Sequence, residues 1–179
     1  MGTIKATNIE PIADNGTVTL GSSGDIFALG SGVNNQLLRP SFRARKTSNQ
    51  NTATGTDVKI TFDTEDYDTD SAFADSKFTV PSGKAGKYYF SFFARIRNAG
   101  DITSQEWSFY KNGSKEDRLS TQHNYTSGDS QYQSYAFSTI LDLSASDYVE
   151  VYVNHNASGA VETNGGTGIT LFQGFRIGA

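Results

Sequence analysis

The chain has 179 residues, with 12 Phe, 9 Tyr and no Cys, and its formal net charge is −4 at pH 7. The lack of cysteine excludes a disulfide framework and a thiolate metal site, and a mildly acidic chain without a basic block is not expected to bind nucleic acid. No apolar run in the sequence approaches the length of a membrane span, so membrane insertion is not expected.

The first 37 residues differ in composition from the rest of the chain. They contain few large apolar side chains and many Gly, Ser, Asn and Thr, with short alternating pieces at 17–20 and 26–29. Two such pieces are too few to bury much surface by themselves. We therefore expect residues 1–37 to be a short β-rich arm that anchors or intertwines, with a flexible linker as the alternative, and residues 38–179 to be a separate domain.

Residues 38–179 show the alternation of β-strands, with turn signals between the strands. No segment has a convincing helical period, and many short strands separated by Gly- and Asp-rich turns indicate an all-β sandwich or jelly roll. The predicted strands cover residues 41–46, 57–62, 76–80, 87–97, 105–111, 116–121, 132–143, 148–155 and 169–177.

Two of these strands carry large apolar side chains on both faces. Strand 87–97 has Tyr89 and Phe93 on the face opposite to its main aromatic row, and strand 169–177 has Phe172 opposite to its other large apolar residues. A strand that is apolar on both faces is covered on both faces. Because no helix is available as the second cover, we expect a neighbouring subunit there.

Six motifs follow one another through residues 38–179. They are SFRAR (41–45), KITF (59–62), KFTVPSGKAGKYYFSFFARI (77–96), FYKNGS (109–114), SYAFSTILDLSASDYVEVYV (134–153) and LFQGFRIG (171–178). Their order resembles the globular head domain of the complement C1q and tumour necrosis factor superfamily. The resemblance implies a ten-stranded C1q/TNF-like jelly-roll sandwich that forms a homotrimer. Ser146 departs from the family pattern, where Gly is usual, but Asp147 remains and the turn is expected to form.

The resemblance also implies which strands form the inner sheet that faces the threefold axis: residues 41–46, 87–97, 148–155 and 169–177. This placement agrees with the two-sided apolar pattern of two of those strands. The residues predicted to lie at the trimer interface are Phe42, Tyr89, Phe93, Arg95 and Phe172.

The N-terminal segment has a resemblance of its own. Residues 3–32 resemble short β-rich stretches in structural proteins of tailed bacteriophages, especially marine ones. The two resemblances together imply a phage virion structural protein that is trimeric, contacts other virion proteins and is displayed on the particle as a head decoration, fibre or tip, with an adhesion or stabilising role. The alternative is a soluble C1q-like lectin or ligand-binding module of cellular origin.

Motifs for catalysis are not found in the sequence. There is no Gly-x-Ser-x-Gly elbow, and the Gly-rich stretches 21–24 and 165–168 lack the Gly-Lys-Ser/Thr of a phosphate loop. We therefore expect no enzyme. Polar loops rich in turn residues are instead the expected contacts of a host surface glycan, through His123, Tyr125, Tyr132 and His155, and three copies would add avidity.

An acidic stretch is the one metal candidate. Asp66, Asp68 and Asp70 have the spacing at the start of a calcium loop, but Ser71 and Lys77 stand where an EF-hand has Gly and Glu. An EF-hand is therefore excluded. A looser calcium site, or one shared between subunits, is the alternative to a solvated acidic turn, and no other cofactor is expected.

Overall fold

The computed structural model describes residues 40–98, 102–122 and 131–178 of the chain. Within these ranges the chain forms thirteen strands and no helix, so none of the described residues provides a helix that could cross a membrane. The strands form two antiparallel sheets, here sheet I and sheet II, with the core between them. The predicted arm, residues 1–37, lies outside the described residues, and its role stays a prediction.

Sheet I has seven strands and contains the long two-sided strand predicted at 87–97. The strand order is β2-β12-β7-β13-β1-β4, and β10 pairs with β7 along its whole length. The strands are β1 (Ser41–Arg45), β2 (Gln50–Thr52), β4 (Thr64–Asp68), β7 (Gly86–Asn98), β10 (Gln131–Leu143), β12 (Val161–Thr163) and β13 (Leu171–Gly178).

Sheet II has six strands and covers the other side of the core. The strand order is β5-β6-β11-β8-β9, and β3 also pairs with β11. The strands are β3 (Val58–Lys59), β5 (Phe73–Ala74), β6 (Lys77–Thr79), β8 (Ser104–Lys111), β9 (Ser114–Gln122) and β11 (Tyr148–His155).

Aromatic rings from both sheets fill the core. The ring of Phe42 lies 4.9 Å from the rings of Phe73, Phe78 and Phe172, so sheet I and sheet II interdigitate at this point. Full burial of an apolar side chain of this size contributes about 1.5–3 kcal/mol to the stability of the fold. The stability of the sandwich therefore comes in large part from these rings.

The structure confirms the all-β jelly roll and corrects some of its details. Each predicted strand overlaps an observed one, and the structure adds the short strands β2, β4, β5 and β12. The prediction that strand 148–155 belongs to the sheet with 87–97 is wrong. That segment is β11, and it pairs with β3, β6 and β8 in sheet II.

Two tight turns follow the sequence closely. Asn112 and Gly113 have φ values of 51° and 78°, which is the two-residue hairpin geometry that Asn-Gly favours. Ser146 also has a positive φ of 71°. The turn around it forms as expected, because Asp147 accepts a hydrogen bond from the Ser144 N–H at 2.9 Å.

Candidate functional site

The face of sheet I that points away from the core carries large apolar side chains; it is called the assembly face below. Along β7, Tyr89 and Phe93 are half-buried on this face, while Phe90 on the opposite face is fully buried. The Tyr89 ring lies 5.3 Å from the ring of Phe175 on the neighbouring strand β13. The predicted two-sided pattern of β7 is therefore real, and one of its two apolar faces has no cover from the described residues of the same chain.

The most exposed apolar side chains also belong to this sheet. Among the described residues, the large hydrophobic side chains that are exposed are Tyr67, Tyr132, Ile140 and Phe175, at 49, 60, 58 and 47%. All four lie on strands of sheet I. A groove of about 280 Å³ crosses the same face between β7, β10 and β13. Apolar surface concentrated in this way is typical of contacts with other macromolecules.

Arginine side chains lie among the apolar groups of sheet I. The Nε atoms of Arg43 and Arg45 lie 3.2 and 3.0 Å from the two carboxylate oxygens of Asp66. The guanidinium of Arg95 lies 4.7 Å from the centroid of the Tyr132 ring. Arginine suits a contact surface because its planar head both pairs with carboxylates and stacks on rings.

The structure separates the five residues predicted at the trimer interface into two groups. Tyr89, Phe93 and Arg95 lie together on the assembly face of β7. Phe42 and Phe172 are 0% exposed and lie in the core of one chain. Contrary to the prediction, these two side chains cannot contact a neighbouring subunit, because they point between the sheets.

The predicted glycan contacts also divide. Tyr132 is 60% exposed, so it is accessible to a ligand. His155 is only 2% exposed, and its Nε2 lies 3.0 Å from the Thr52 carbonyl oxygen. Its predicted surface role is therefore wrong, because the ring is buried and hydrogen-bonded inside the domain. His123 and Tyr125 lie outside the described residues.

The three carboxylates predicted to bind calcium each have a structural role in the acidic segment. Asp66 pairs with two arginines, as described above. Asp68 accepts a hydrogen bond from the Phe73 N–H at 2.8 Å, and Asp70 accepts one from the Thr69 hydroxyl at 2.8 Å. Within the part of the chain that the structure describes, no group of three or more His, Cys, Asp or Glu side chains is arranged to hold a metal ion.

The outward face of sheet II is polar and internally hydrogen-bonded. Asp57 accepts a hydrogen bond from the Tyr110 hydroxyl at 2.5 Å and one from the Asn154 amide at 2.9 Å, and it lies 3.4 Å from Lys115. The ring of Tyr110 stacks on Tyr152 with centroids 4.0 Å apart. This group of five side chains is called the Asp57 network below.

The protonation equilibria of the Asp57 network reflect these contacts. The pKa of Tyr110 is raised to about 12, first by burial and then by the hydrogen bond to the Asp57 carboxylate. Burial also raises the pKa of Asp57, but the hydrogen bonds from Tyr110 and Asn154 and the charge of Lys115 outweigh it, so the pKa is lowered. The network therefore holds an ionised Asp57 beside a protonated Tyr110 at neutral pH.

The two antiparallel sheets, their strand order and the apolar outward face define a jelly-roll domain of the C1q/TNF type. The C1q domain family matches residues 41–177, and the chain belongs to that family. Among curated proteins, none matches the chain.

Two solved structures show the same fold. The globular domain of zebrafish complement 1qA protein is 19% identical, has a TM-score of 0.50 and covers 78% of this chain and 98% of its own. Murine APRIL, crystallised at pH 5.0, is 12% identical, has a TM-score of 0.54 and covers 78% of this chain and 99% of its own. At these identities the similarity concerns the fold. Domains of this type are generally non-enzymatic ligand-binding or structural modules.

Proposed function

We propose that this chain is a homotrimeric binding module that assembles through the assembly face of sheet I. The observation that carries the proposal is the concentration of exposed large apolar side chains on that one sheet. Domains of the C1q and TNF type typically form homotrimers, which supports a closed ring of three copies over a pair.

The energetics favour assembly over exposure of this face. Apolar surface removed from water contributes roughly 25 cal/mol per Å², and a stable interface of ordinary size buries about 800 Å² on each partner. Tyr89, Phe93 and Phe175 form the centre of such a patch, and Arg43 and Arg95 lie on the same sheet. In a closed ring each copy contributes its face in the same way, so no apolar edge stays open.

The location of the trimer is the second part of the proposal. We propose that it is displayed on a phage particle, with a host surface glycan as the partner that the loops contact. The support is the resemblance of residues 3–32 to stretches of tailed-phage structural proteins. The chain would then be recovered from purified particles, whereas a soluble C1q-like lectin of cellular origin would be recovered from the particle-free fraction.

The oligomeric mass of the full chain in solution tests the assembly. We expect three times the 19.4 kDa of one chain. The substitution Phe93→Asp places a charge at the centre of the assembly face, where burial of an unpaired carboxylate is costly. We expect this variant to have the mass of one chain and an unchanged β-sheet circular dichroism spectrum.

A matched substitution on the other sheet controls for a general effect of the new charge. Tyr148 is a half-buried aromatic residue of sheet II, and Lys77 lies 5.0 Å from the centroid of its ring. We expect Tyr148→Asp to keep the mass of three chains. A wild-type chain that has the mass of one copy at micromolar concentration would contradict the proposal, and so would a Phe93→Asp variant that keeps the wild-type mass.

A further inference from the structure

A polar cleft of about 340 Å³ opens on the outward face of sheet II, away from the assembly face. Its walls come from the start of β8, the hairpin strand β9, the end of β11 and the segment before β3. The lining residues are Gly55, Ser104, Glu106, Lys115, Arg118, Asn154, His155 and Asn156. The volume lies at the lower end of the range of small-ligand sites, roughly 300–1,000 Å³.

Backbone hydrogen bonds fix the walls of the cleft. The Gly55 N–H donates to the His155 carbonyl oxygen at 2.8 Å, and the Asn156 N–H donates to the Ser104 carbonyl oxygen at 3.2 Å. The side-chain oxygen of Asn156 accepts from the N–H groups of Thr103 and Ser104, at 3.0 and 2.9 Å. The cleft is therefore preformed, and a ligand would not have to order these segments.

Glu106 lies in the cleft between two cations. Its carboxylate contacts Lys115 and lies 3.4 Å from the Nη1 of Arg118. Lys115 also lies 3.4 Å from Asp57. Two carboxylates therefore balance two cations, and these four groups add no net charge to the cleft.

Two polar side chains of the cleft keep hydrogen-bonding capacity for a ligand. The Arg118 side chain is 65% exposed, and its contact among the described residues is the one from Nη1 to Glu106. Asn154 donates to Asp57 at 2.9 Å through its amide nitrogen, while its amide oxygen has no donor among those same residues. Glu106 accepts from Lys115 and Ser108 at Oε1 and from Arg118 at Oε2. One lone pair of Oε2 therefore stays available to a ligand, beside the remaining donors of Arg118 and the amide oxygen of Asn154.

This chemistry selects a class of ligand. An apolar ligand would lose its driving force in a lining without large hydrophobic side chains, and a polyanion needs clustered positive charge, which the balanced cleft lacks. Adjacent hydroxyl groups each donate and accept a hydrogen bond, so they match the alternating donors and acceptors of Arg118, Glu106 and Asn154. We propose that the cleft binds a neutral saccharide.

The proposal names the ligand class of the binding module and so rests on the proposed function. The residues of the cleft all come from one copy, so the cleft forms in the trimer and in a single chain alike. A cleft that fails to bind saccharide in a chain of trimeric mass would overturn this inference alone. A chain of single-copy mass that binds saccharide would overturn the assembly alone.

The test titrates the full chain with galactose, mannose and N-acetylglucosamine, and with glucuronic acid as the anionic comparison, by NMR chemical-shift perturbation. We expect a neutral sugar to shift the resonances of Arg118 and Asn154, with an affinity that does not change when salt is raised, since no net charge is screened. The variant Arg118→Ala removes a charged hydrogen-bond donor and should weaken binding roughly tenfold or more.

Two further variants make the result specific to the cleft. Glu106→Gln keeps the shape of the side chain but releases the two cations, and it should weaken binding as well. Lys77→Ala removes a cation of sheet II that does not line the cleft and should leave binding unchanged. Binding of glucuronic acid alone, equal weakening by Arg118→Ala and Lys77→Ala, or no shift with any neutral sugar would each overturn the proposal.

Discussion

The outward faces of the two sheets differ in how their side chains meet water. On sheet II, polar side chains satisfy one another: Lys59 lies 2.6 Å from Glu150, and Asp57 accepts hydrogen bonds from two neighbours. On sheet I, Tyr89, Phe93 and Phe175 remain partly exposed with no such compensation. A polar face that satisfies its own hydrogen bonds is stable in water, whereas an exposed apolar face is typical of a contact with another macromolecule.

The difference begins in the alternation of single strands. In β8, Trp107 and Phe109 face the core. The other row holds Glu106, Ser108 and Tyr110, and each of these side chains takes part in a polar contact. In β7, the buried row alternates with further aromatic residues. The sequence therefore already distinguishes the sheet with a polar outward face from the sheet with an apolar one.

The largest expected effect comes from removing a ring on the inner side of sheet I, in comparison with removing a ring on its outer side. Phe42 is fully buried, whereas Phe175 is 47% exposed. In the Phe93→Asp background, which we expect to be monomeric, Phe42→Ala should lower the free energy of unfolding by about 3–5 kcal/mol, because it leaves a cavity. Phe175→Ala should change it by less than about 1 kcal/mol, because the ring is partly in water.

Denaturant unfolding measures both values, and the monomeric background removes the contribution of assembly. In the chain with wild-type Phe93, Phe175→Ala should lower the mass observed at limiting concentration. Equal destabilisation by the two substitutions would show that the two sides of the sheet do not differ as described.

A smaller effect is expected at Gly174, where the inner side of β13 has no room for a side chain. A Cβ there would lie 2.6 Å from the Cδ1 of Phe90 and 2.9 Å from the Tyr89 carbonyl oxygen. Phe90 is fully buried and cannot move aside freely, so Gly174→Ala should cost about 1–3 kcal/mol of unfolding free energy.

Gly178 in the same strand is the matched control, because a Cβ there would have no atom within 4 Å. We expect Gly178→Ala to change the free energy of unfolding, measured by denaturant unfolding as for Gly174→Ala, by less than about 0.5 kcal/mol. If Gly174→Ala were as stable as Gly178→Ala, the inner side of sheet I would be looser than the structure indicates.

Much of the fold could be predicted because long strands carry a strong alternation signal. The strands β7, β10 and β11 extend over 8 to 13 residues, which is enough for the pattern to be clear. The strand β4 is absent from the predicted strands, and its sequence, TEDYD, is acidic and has no apolar alternation. It becomes a strand because β1 supplies both the backbone partner and the arginines that pair with Asp66.

The side that Phe172 faces could not be predicted from its own strand. Both rows of β13 contain large apolar residues, and a shift of one residue exchanges the two faces. The pairing of Phe172 with Phe92 and Ala44 places its side chain on the core side of the sheet. That pairing is a tertiary contact, which the strand's own sequence does not contain. The same is true of the Asp57 network, since Asp57 and Tyr110 are 53 residues apart in the sequence.

The smallest expected effect sharpens the description of the polar face. The pKa of Tyr110 is raised from its ordinary value of 10.0 to about 12, by burial and then by the Asp57 carboxylate. Because the pKa is higher in the folded chain than in the unfolded one, the stabilisation is complete below about pH 10 and is lost as the pH rises to about 12. Removing the negative charge of Asp57 should bring the end of this window to lower pH.

We expect Asp57→Asn to lower the pKa of Tyr110 while leaving it above the ordinary value, since burial remains. The ring-carbon NMR shift of Tyr110, assigned with a Tyr110→Phe variant, measures the titration directly. Asp142 is an exposed carboxylate on sheet I, and Asp142→Asn should leave the curve unchanged. An unchanged Tyr110 pKa in Asp57→Asn would mean that burial alone sets it. The hydrogen bond from the Tyr110 hydroxyl to the Asp57 carboxylate would then contribute nothing measurable to the pKa of Tyr110.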